Sequence, residues 1–295
     1  MIAKYVLALC ALVPLAVAEK PVPLLLEVDA LAHDLQDPNL VLLQVSAKDV
    51  YAAKHIAGAQ FISLQDVSVG MDRGNTAVLS LELPPVDVLR ASLAKFGISN
   101  DSHVVVYFDT DQSYSGATRV VFALQYAGLG DRTSLLNGGL AEWVKRGKPV
   151  TATVPTVVAG KLSGGAGKNI VADAELVRTI GEHANYKLID ARMPEFYSGK
   201  EATYDKNGHI PGAVNIPFSG LADANGLMTR EHVAELFAAA GVKPGDTVVT
   251  YCHIGRQATV VLFAARLLGN QVMMYDGAFQ DWATNNRGPV EKSVQ

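Results

Sequence analysis

The sequence predicts an α/β protein of two tandem domains, each a mostly parallel β-sheet flanked by helices. Short β-branched runs alternate with helix-like runs, a pattern typical of parallel sheets. The chain also repeats its order of elements once, at about half its length. Such a repeat indicates duplication rather than a solenoid, whose repeats span about 20–50 residues. A length of 295 residues fits two domains.

The N-terminal segment, residues 1–18, is predicted to be a cleavable signal peptide. Lys4 supplies positive charge, the run from Tyr5 to Val17 is almost wholly apolar, and Ala16-Val17-Ala18 forms a small-residue cleavage site before Glu19. An uncleaved membrane anchor is disfavoured because a bilayer span needs about 20 residues. We therefore expect a periplasmic or secreted protein that is free of the membrane after cleavage.

Three pairs of stretches carry the internal repeat. Residues 40–45 of the first half correspond to residues 186–192 of the second, residues 54–59 to residues 208–213, and residues 104–109 to residues 247–252. Each half then closes on a glycine turn followed by Trp143 or Trp282. The repeat predicts domains at 19–150 and 169–295, joined by a Gly-containing linker at 151–168.

Within each half, the residue types predict individual elements. Val104–Tyr107 and Val248–Thr250 are β-branched and short, so we expect buried strands. Helices are expected at 120–129, 260–268 and 231–240, the last with a threonine N-cap at position 229.

Cys252 is the candidate nucleophile. The other cysteine, Cys10, lies in the predicted signal peptide, so the processed chain would have no partner for an intrachain disulfide. Cys252 directly follows a predicted strand, and ligands bind beyond the carboxyl ends of strands in open α/β sheets. The turn behind it leads into a helix near Gln257–Thr259. Backbone N–H groups and the helix dipole there would bind anions and stabilise a thiolate.

The residues after Cys252 are predicted to form an anion-binding cradle, and they are His253, Ile254, Gly255, Arg256 and Gln257. Gly255 would supply a left-handed backbone angle, and Arg256 would supply a fixed positive charge and a planar fork of donors. His253 is equally consistent with a further donor and with a bystander.

The chain resembles the rhodanese family, and more closely its tandem-domain sulfurtransferases. The resemblance lies in Leu-Ile-Asp-Ala-Arg at 188–192, Gly-His-Ile-Pro-Gly-Ala at 208–213, and Tyr-Cys followed by a six-residue loop. It implies that only the second domain is catalytic. Cys252 would take the outer sulfur of a donor such as thiosulfate and pass it from a persulfide to cyanide or a thiol.

The resemblance also implies roles outside the loop. Arg192 would hold the anionic head of the donor, although pairing with Asp190 is an alternative. Asp190 and His209 are expected to be structural. Aligning the repeats places Asp109 at the position of Cys252, with about two extra residues before the next helix, so the first domain is predicted to be inactive. We expect that domain to shield the thiol from oxidation.

The loop sequence favours thiosulfate over 3-mercaptopyruvate as donor. Members that use 3-mercaptopyruvate typically have Cys-Gly-Ser-Gly-Val and a second arginine soon after the first, near where Glu195 lies here. However, Ile254 replaces one of two basic residues often found in thiosulfate-specific members. A non-catalytic sulfur carrier or binding module is an alternative. A Cys-dependent phosphatase is disfavoured, because its Cys-x5-Arg spacing would place an arginine at Ala258.

Net charge and the absence of certain motifs limit the kinds of partner that the sequence predicts. A formal net charge of −4 and a pI of about 6.0 give no electrostatic reason to expect nucleic acid. No histidine or cysteine spacing suggests zinc, and no nucleotide-binding glycine motif is present. We therefore expect no cofactor and no metal. The expected partners are a small sulfur donor and a thiol or cyanide acceptor, and we expect a monomer.

Overall fold

The computed structural model describes residues 22–70, 78–167 and 169–293. The predicted signal peptide lies outside these ranges. Within them, no helix is long and apolar enough to cross a membrane.

The first domain is a five-stranded parallel sheet with helices on both faces. Its strands are β1 (Leu25–Leu26), β2 (Leu40–Val45), β3 (Gln60–Phe61), β4 (His103–Phe108) and β5 (Thr133–Leu136). Its helices are α1 (Val28–Asp34), α2 (Lys48–Ala53), α3 (Val86–Ala94), α4 (Asp111–Leu124) and α5 (Gly139–Lys145). The strand order β1-β5-β4-β2-β3 places the β-branched β4 in the centre of the sheet.

The second domain repeats this architecture. Its strands are β6 (Val171–Ala172), β7 (Tyr186–Asp190), β8 (Val214–Asn215), β9 (Thr247–Tyr251) and β10 (Gln271–Tyr275). Its helices are α6 (Ala174–Thr179), α7 (Pro194–Ser198), α8 (Arg230–Ala239), α9 (Ala258–Leu268) and α10 (Ala278–Thr284). The parallel order β6-β10-β9-β7-β8 is that of the first sheet, with β9 in the centre. The predicted fold class is therefore confirmed.

Equivalent hydrogen bonds show that the two domains are copies. The Tyr107 hydroxyl accepts from the backbone N–H of Ile56 at 3.0 Å, and the Tyr251 hydroxyl accepts from Ile210 at 3.1 Å. The indole N–H groups of both tryptophans likewise donate to a proline carbonyl six or seven residues later. The duplication predicted from the sequence is therefore retained in three dimensions.

Helices α4 and α9 pack against each other between the two sheets. The hydroxyls of Thr118 and Thr259 share a buried hydrogen bond of 2.8 Å at this contact. One hydrophobic cluster runs without interruption through both domains, from Val104 and Val120 to Val248 and Val260. The domains thus share a core, and the carboxyl end of the central strand β9 lies against the other domain.

Two of the three predicted helices agree closely with the observed ones, and the third begins earlier than predicted. The N-cap of α8 is Thr229, whose hydroxyl accepts from His232 N at 3.3 Å. Helix α9 begins at Ala258 and ends at Leu268, and its C-cap, Gly269, has a φ of 93°. Helix α4 begins well before the predicted position and continues into a π-helical turn at Gln125–Leu129.

The predicted linker lies along the first domain. Thr151 exchanges two backbone hydrogen bonds of 2.8 Å with His55. Further along, the N–H groups of Gly160 and Gly167 donate to the carbonyls of Ala94 and Tyr126. These contacts hold the segment on the domain that precedes it.

Candidate active site

Cys252 lies at the carboxyl end of β9, the central strand of the second sheet. Its thiol is free, and the residue is only 1% exposed. A cavity of about 720 Å³ opens onto it at the interface between the domains. Position and burial therefore fit a reactive group that meets small molecules in a confined space.

The loop after Cys252 has its carbonyl groups turned towards helix α10. The carbonyls of Cys252 and His253 accept from the N–H groups of Phe279 and Gln280 at 2.9 and 3.0 Å. The N–H groups of residues 254, 255 and 257 have no acceptor among the described residues. The loop therefore offers several backbone donors to an anion.

Gly255 adopts the left-handed backbone that the sequence predicts, with a φ of 76°. A Cβ atom at this position would lie 3.2 Å from the Asp276 carbonyl oxygen and 3.1 Å from a guanidinium nitrogen of Arg119. The residue itself does not line the cavity. It permits the turn that holds its neighbours in place.

Both domains line the cavity. The lining residues are Tyr114 and Ser115 of α4; Phe218, Ser219, Ala222, Asp223, Ala224 and Gly226 of the segment after β8; and Cys252, His253, Ile254, Arg256 and Gln257 of the cradle. The sequence indicated only the last group. The first two groups come from helix and loop segments with no catalytic motif.

Arg256 is fixed from across the interface. Its Nε donates to the Ser115 hydroxyl oxygen at 2.9 Å. The side chain borders the cavity beside Cys252. A guanidinium keeps its charge throughout the physiological pH range, so the cavity contains a permanent cation where an anionic donor would bind.

Arg192 is placed differently from its predicted contact with the donor. It is 2% exposed and does not line the cavity. Its Nη2 donates to Asp190 Oδ2 at 2.6 Å and to the Gly208 carbonyl at 2.7 Å, and its guanidinium lies 3.9 Å from the centroid of the Phe279 ring. The side chain is thus committed to Asp190, because two adjacent buried charges are stable only when paired.

The charge of Arg192 nevertheless acts on the site. Burial works to lower the pKa of Arg192, but the hydrogen-bonded Asp190 carboxylate raises it above the ordinary value. The group is therefore cationic and interacts electrostatically with Cys252. Its contribution comes through the field rather than through contact with substrate.

His253 lines the cavity as a neutral ring. Burial, together with the charge of Arg192, lowers the pKa of His253 to about 4. Its Nδ1 lies 3.2 Å from the Thr203 hydroxyl, and Phe196 packs edge-on at 4.6 Å between ring centroids. At neutral pH this histidine adds a polar surface and no positive charge.

His209 stands outside the cavity. Its ring stacks on Tyr197 at 3.9 Å, and its Nδ1 is 2.8 Å from the Tyr197 carbonyl oxygen. His55 makes the same pair of contacts with Tyr51 in the first domain. The repetition of this arrangement in the domain without a cysteine indicates a structural role.

The strand register corrects the predicted counterpart of Cys252. Gln44 of β2 pairs with Tyr107, and Asp190 of β7 pairs with Tyr251. The two tyrosines are therefore equivalent, so the residue at the cysteine position is Phe108 and not Asp109. The extra residues lie within α4, which begins at position 111, so only residues 109 and 110 separate Phe108 from the helix.

Phe108 fills the position that Cys252 has in the second domain. It is 2% exposed and packs edge-on against Tyr114 at 4.8 Å. Gly226 of the second domain covers it so closely that a Cβ there would lie 2.5 Å from the ring. The first domain therefore has neither a nucleophile nor space for a substrate at this point.

Arg119 supports the cradle and was not indicated by any motif. It is fully buried, and its Nη1 donates to Asp276 Oδ1 at 2.7 Å and to the Gly255 carbonyl at 3.3 Å. Its Nη2 donates to the Leu81 carbonyl. The sequence signal for this role is a lone arginine in the apolar run of α4, because a buried charge needs a partner.

No group of three or more His, Cys, Asp or Glu side chains within the described ranges is placed to hold a metal ion.

Comparison with known proteins identifies the family. Residues 27–146 and 173–285 each match the rhodanese-like domain. The chain therefore belongs to the rhodanese-like family, with the domain present twice.

Sulfurtransferases match this chain over most of its length. The chain is 28% identical over 272 residues to a thiosulfate sulfurtransferase of Azotobacter vinelandii, covering 91% of this chain and 97% of the relative. It is 31% identical over 279 residues to a probable 3-mercaptopyruvate sulfurtransferase of Pseudomonas aeruginosa, covering 90% and 97%.

The solved structure of SseA from Escherichia coli, described as a 3-mercaptopyruvate sulfotransferase, has a TM-score of 0.75 and 25% identity. The match covers 87% of this chain and 99% of that one. Fold, site and relatives together define this chain as a sulfurtransferase of the rhodanese type.

Proposed function

We propose that this enzyme transfers a sulfane sulfur from thiosulfate, or a related donor, to a thiol or cyanide through a persulfide on Cys252. One observation carries the proposal. The single cysteine of the described chain lies at the end of a central strand, inside a ring of backbone donors, and opens onto a cavity. The equivalent position in the first domain is a buried phenylalanine.

In the first half-reaction, the Cys252 thiolate attacks the outer sulfur of thiosulfate. A bond forms between Sγ and that sulfur, the sulfur–sulfur bond of the donor breaks, and sulfite leaves with the electron pair. The loop N–H groups and Arg256 would stabilise the negative charge before and after transfer. No redox partner is required.

In the second half-reaction, the acceptor attacks the outer sulfur of the persulfide. Cyanide would leave as thiocyanate, and a thiolate would leave as a new persulfide, while Cys252 returns to its thiolate form. The acceptor attacks the sulfur that sulfite has already released, so it reacts only after the first half-reaction is complete. The kinetics are therefore ping-pong.

Thiosulfate is the donor that the cradle favours. The loop after Cys252 reads His-Ile-Gly-Arg rather than the Gly-Ser-Gly-Val typical of members that use 3-mercaptopyruvate, and Arg256 supplies a cation for an anionic donor. Glu195 lies in α7 and does not line the cavity. Because relatives named for either donor match the chain, 3-mercaptopyruvate is the second candidate.

The test is the intact mass of the protein after incubation with thiosulfate and then with cyanide. We expect a gain of one sulfur atom that cyanide removes, and no gain in Cys252→Ser. If neither thiosulfate nor 3-mercaptopyruvate adds sulfur, the proposal fails and the chain is a binding module that retains the fold.

We also propose that the protein is exported and acts as a monomer. The support is the signal-like sequence of residues 1–18. Expression of the full chain should give a periplasmic or secreted product that begins at Glu19. Intact mass identifies that terminus, and light scattering gives the oligomeric state.

A further inference from the structure

We infer that Glu82 of the first domain is a positioning residue for the cradle, and that it acts in its neutral form. Glu82 belongs to residues 78–84, which we call the interdomain segment. The neutral carboxyl allows this segment to pack on the catalytic domain, and ionisation weakens the packing. The inference rests on the proposed function, because the cradle is the site of the proposed sulfur transfer.

The interdomain segment is hydrogen-bonded to the catalytic domain on both sides of Glu82. The N–H of Ser80 donates to the side-chain oxygen of Gln280 at 2.8 Å. The N–H of Leu83 donates to Asp276 Oδ2 at 2.7 Å. These two contacts fix the backbone around Glu82 against the end of β10 and the start of α10.

The groups that bind the interdomain segment also bind the cradle. The backbone N–H of Gln280 donates to the carbonyl of His253 at 3.0 Å. Arg119 donates to the carbonyl of Leu81 in the segment and to the carbonyl of Gly255 in the cradle. Displacement of the segment therefore disturbs the donors that hold two carbonyls of the cradle.

Glu82 is a carboxyl for which no cation is left at this contact. Its Oε1 is buried and has no hydrogen-bond partner among the residues that the structure describes. The guanidinium of Arg119 pairs with Asp276 at 2.7 Å, and that of Arg287 pairs with Asp281 at 3.0 Å. A buried carboxylate without a partner is costly, so Glu82 is stable here when it is protonated.

The charges that face Glu82 favour its protonated form. Burial and the negative charge of Asp276 raise the pKa of Glu82 to about 8. Asp281 of α10 acts in the same direction, and Arg119 of α4 opposes both. Tyr275 of β10 also interacts with Glu82, but burial raises the pKa of its hydroxyl, which is therefore neutral. Most Glu82 side chains are protonated at pH 7 and ionised at pH 9.

Leu81 stores backbone strain in the interdomain segment. It is 4% exposed and has a φ of 60°, in the left-handed region that a residue with a side chain rarely adopts. Such a backbone persists only where the surrounding contacts over-determine it. Separation of the segment relieves this strain, and ionisation of the adjacent Glu82 acts in the same direction.

Ionisation opposes the packing over a defined pH range. When the segment separates, Glu82 reaches water and its pKa returns towards the ordinary value of 4.5. The packed state therefore binds the proton more tightly than the separated state. The resulting stabilisation is fully present below pH 4.5 and is lost as the pH rises to about 8.

Amide hydrogen exchange measures the packing of the interdomain segment without catalysis. The reporters are the N–H groups of Ser80 and Leu83, and the comparison is with Glu82→Gln, whose amide is neutral at every pH. Comparing the proteins at equal pH cancels the chemical pH dependence of exchange. Between pH 6 and 9 we expect the ratio of exchange rates, wild type over variant, to rise at least about tenfold. A constant ratio would overturn the inference.

The pH profile of sulfur transfer tests the connection to the cradle. We expect the ratio of kcat/KM for thiosulfate, Glu82→Gln over wild type, to rise at least about threefold between pH 6 and 9. Glu235→Gln removes an exposed carboxylate from α8 and should give the same profile as the wild type. Parallel profiles for Glu82→Gln and the wild type would show that the segment does not position the cradle.

Loading of Cys252 separates this inference from the proposed function. If neither thiosulfate nor 3-mercaptopyruvate adds sulfur, the proposed function and the positioning role fail together. If Cys252 accepts sulfur but the exchange ratio or the pH profiles show no difference, the proposed function stands and the inference fails.

Discussion

Arg256 of the catalytic domain donates from Nε to the hydroxyl oxygen of Ser115, a residue of the other domain, at 2.9 Å. The cation beside Cys252 is therefore oriented by a helix whose own domain has no nucleophile. The duplicated domain has become part of the active site.

Ser115→Ala should weaken the binding of an anionic donor. A hydrogen bond to a charged group contributes about 1.5–3 kcal/mol, so we expect kcat/KM for thiosulfate to fall about tenfold, mainly through KM. Steady-state kinetics measures this change. Ser92→Ala removes a hydroxyl that bonds the Asp66 carbonyl, away from the cavity, and serves as control. Equal effects of the two variants would refute the orienting role.

Arg119→Met should destabilise the whole protein. The substitution leaves Asp276 as a buried carboxylate without its guanidinium partner, which costs about 3–5 kcal/mol. It also removes a donor to the Gly255 carbonyl. Urea denaturation gives the change in the free energy of unfolding. A loss below about 1 kcal/mol would show that water or the Leu83 N–H satisfies Asp276 unaided.

Gly255→Ala should impair catalysis more than stability. Any residue with a side chain loses about 1–2 kcal/mol in a left-handed backbone, and here the new Cβ also presses on the Asp276 carbonyl. We expect kcat/KM to fall by more than tenfold while the protein remains folded. Gly245→Ala is the matched control, because its φ is 89° and nothing lies within 4 Å of a Cβ there. It should lose similar stability and retain activity.

Phe108→Cys should not create a second catalytic site. The residue lies where Cys252 lies in the other domain, but only residues 109 and 110 separate it from α4, whereas residues 253–257 form the donor loop after Cys252. Gly226 also closes the space above it. After incubation with thiosulfate, intact mass should show one added sulfur atom per chain. Two added atoms would mean that the cysteine alone suffices.

The neutral state of His253 gives a stability that depends on pH. Its pKa of about 4 in the folded protein is below the ordinary value of 6.5, so the unfolded chain binds the proton more tightly. Stability is therefore lost as the pH falls from 6.5 towards 4. Between pH 7 and 4.5, His253→Gln should lose about 2 kcal/mol less than the wild type in urea denaturation. Parallel losses in both proteins would contradict this assignment.

Local patterns predicted the fold and the cradle, because they depend on neighbours in sequence. The β-branched runs marked β4 and β9, and Gly255 with Arg256 marked the loop. The prediction that Asp109 occupies the position of Cys252 is wrong by one residue, because the starts of the two β-branched runs are not equivalent positions. The shared tyrosines, whose hydroxyls bond a distant backbone N–H, fix the true register.

Other features could not be predicted, because they depend on burial and on contacts between domains. The Asp-x-Arg spacing at Asp190 and Arg192 is compatible with a substrate contact and with an internal pair, and only the burial of both groups decides. Tyr114, Ser115 and Arg119 approach the cradle from more than 100 positions away in the chain. Contacts between segments so far apart in the chain cannot be predicted from the local sequence pattern of either segment.

The path of the linker indicates that the two domains do not depend on their covalent connection to stay together. Residues 151–167 lie along the first domain, and the core through α4 and α9 holds the domains together independently of that connection. Val158 in this segment is 85% exposed and accessible to a protease. After cleavage there, the two fragments would stay associated through the shared core, as a heterodimer in which one subunit contains the nucleophilic cysteine.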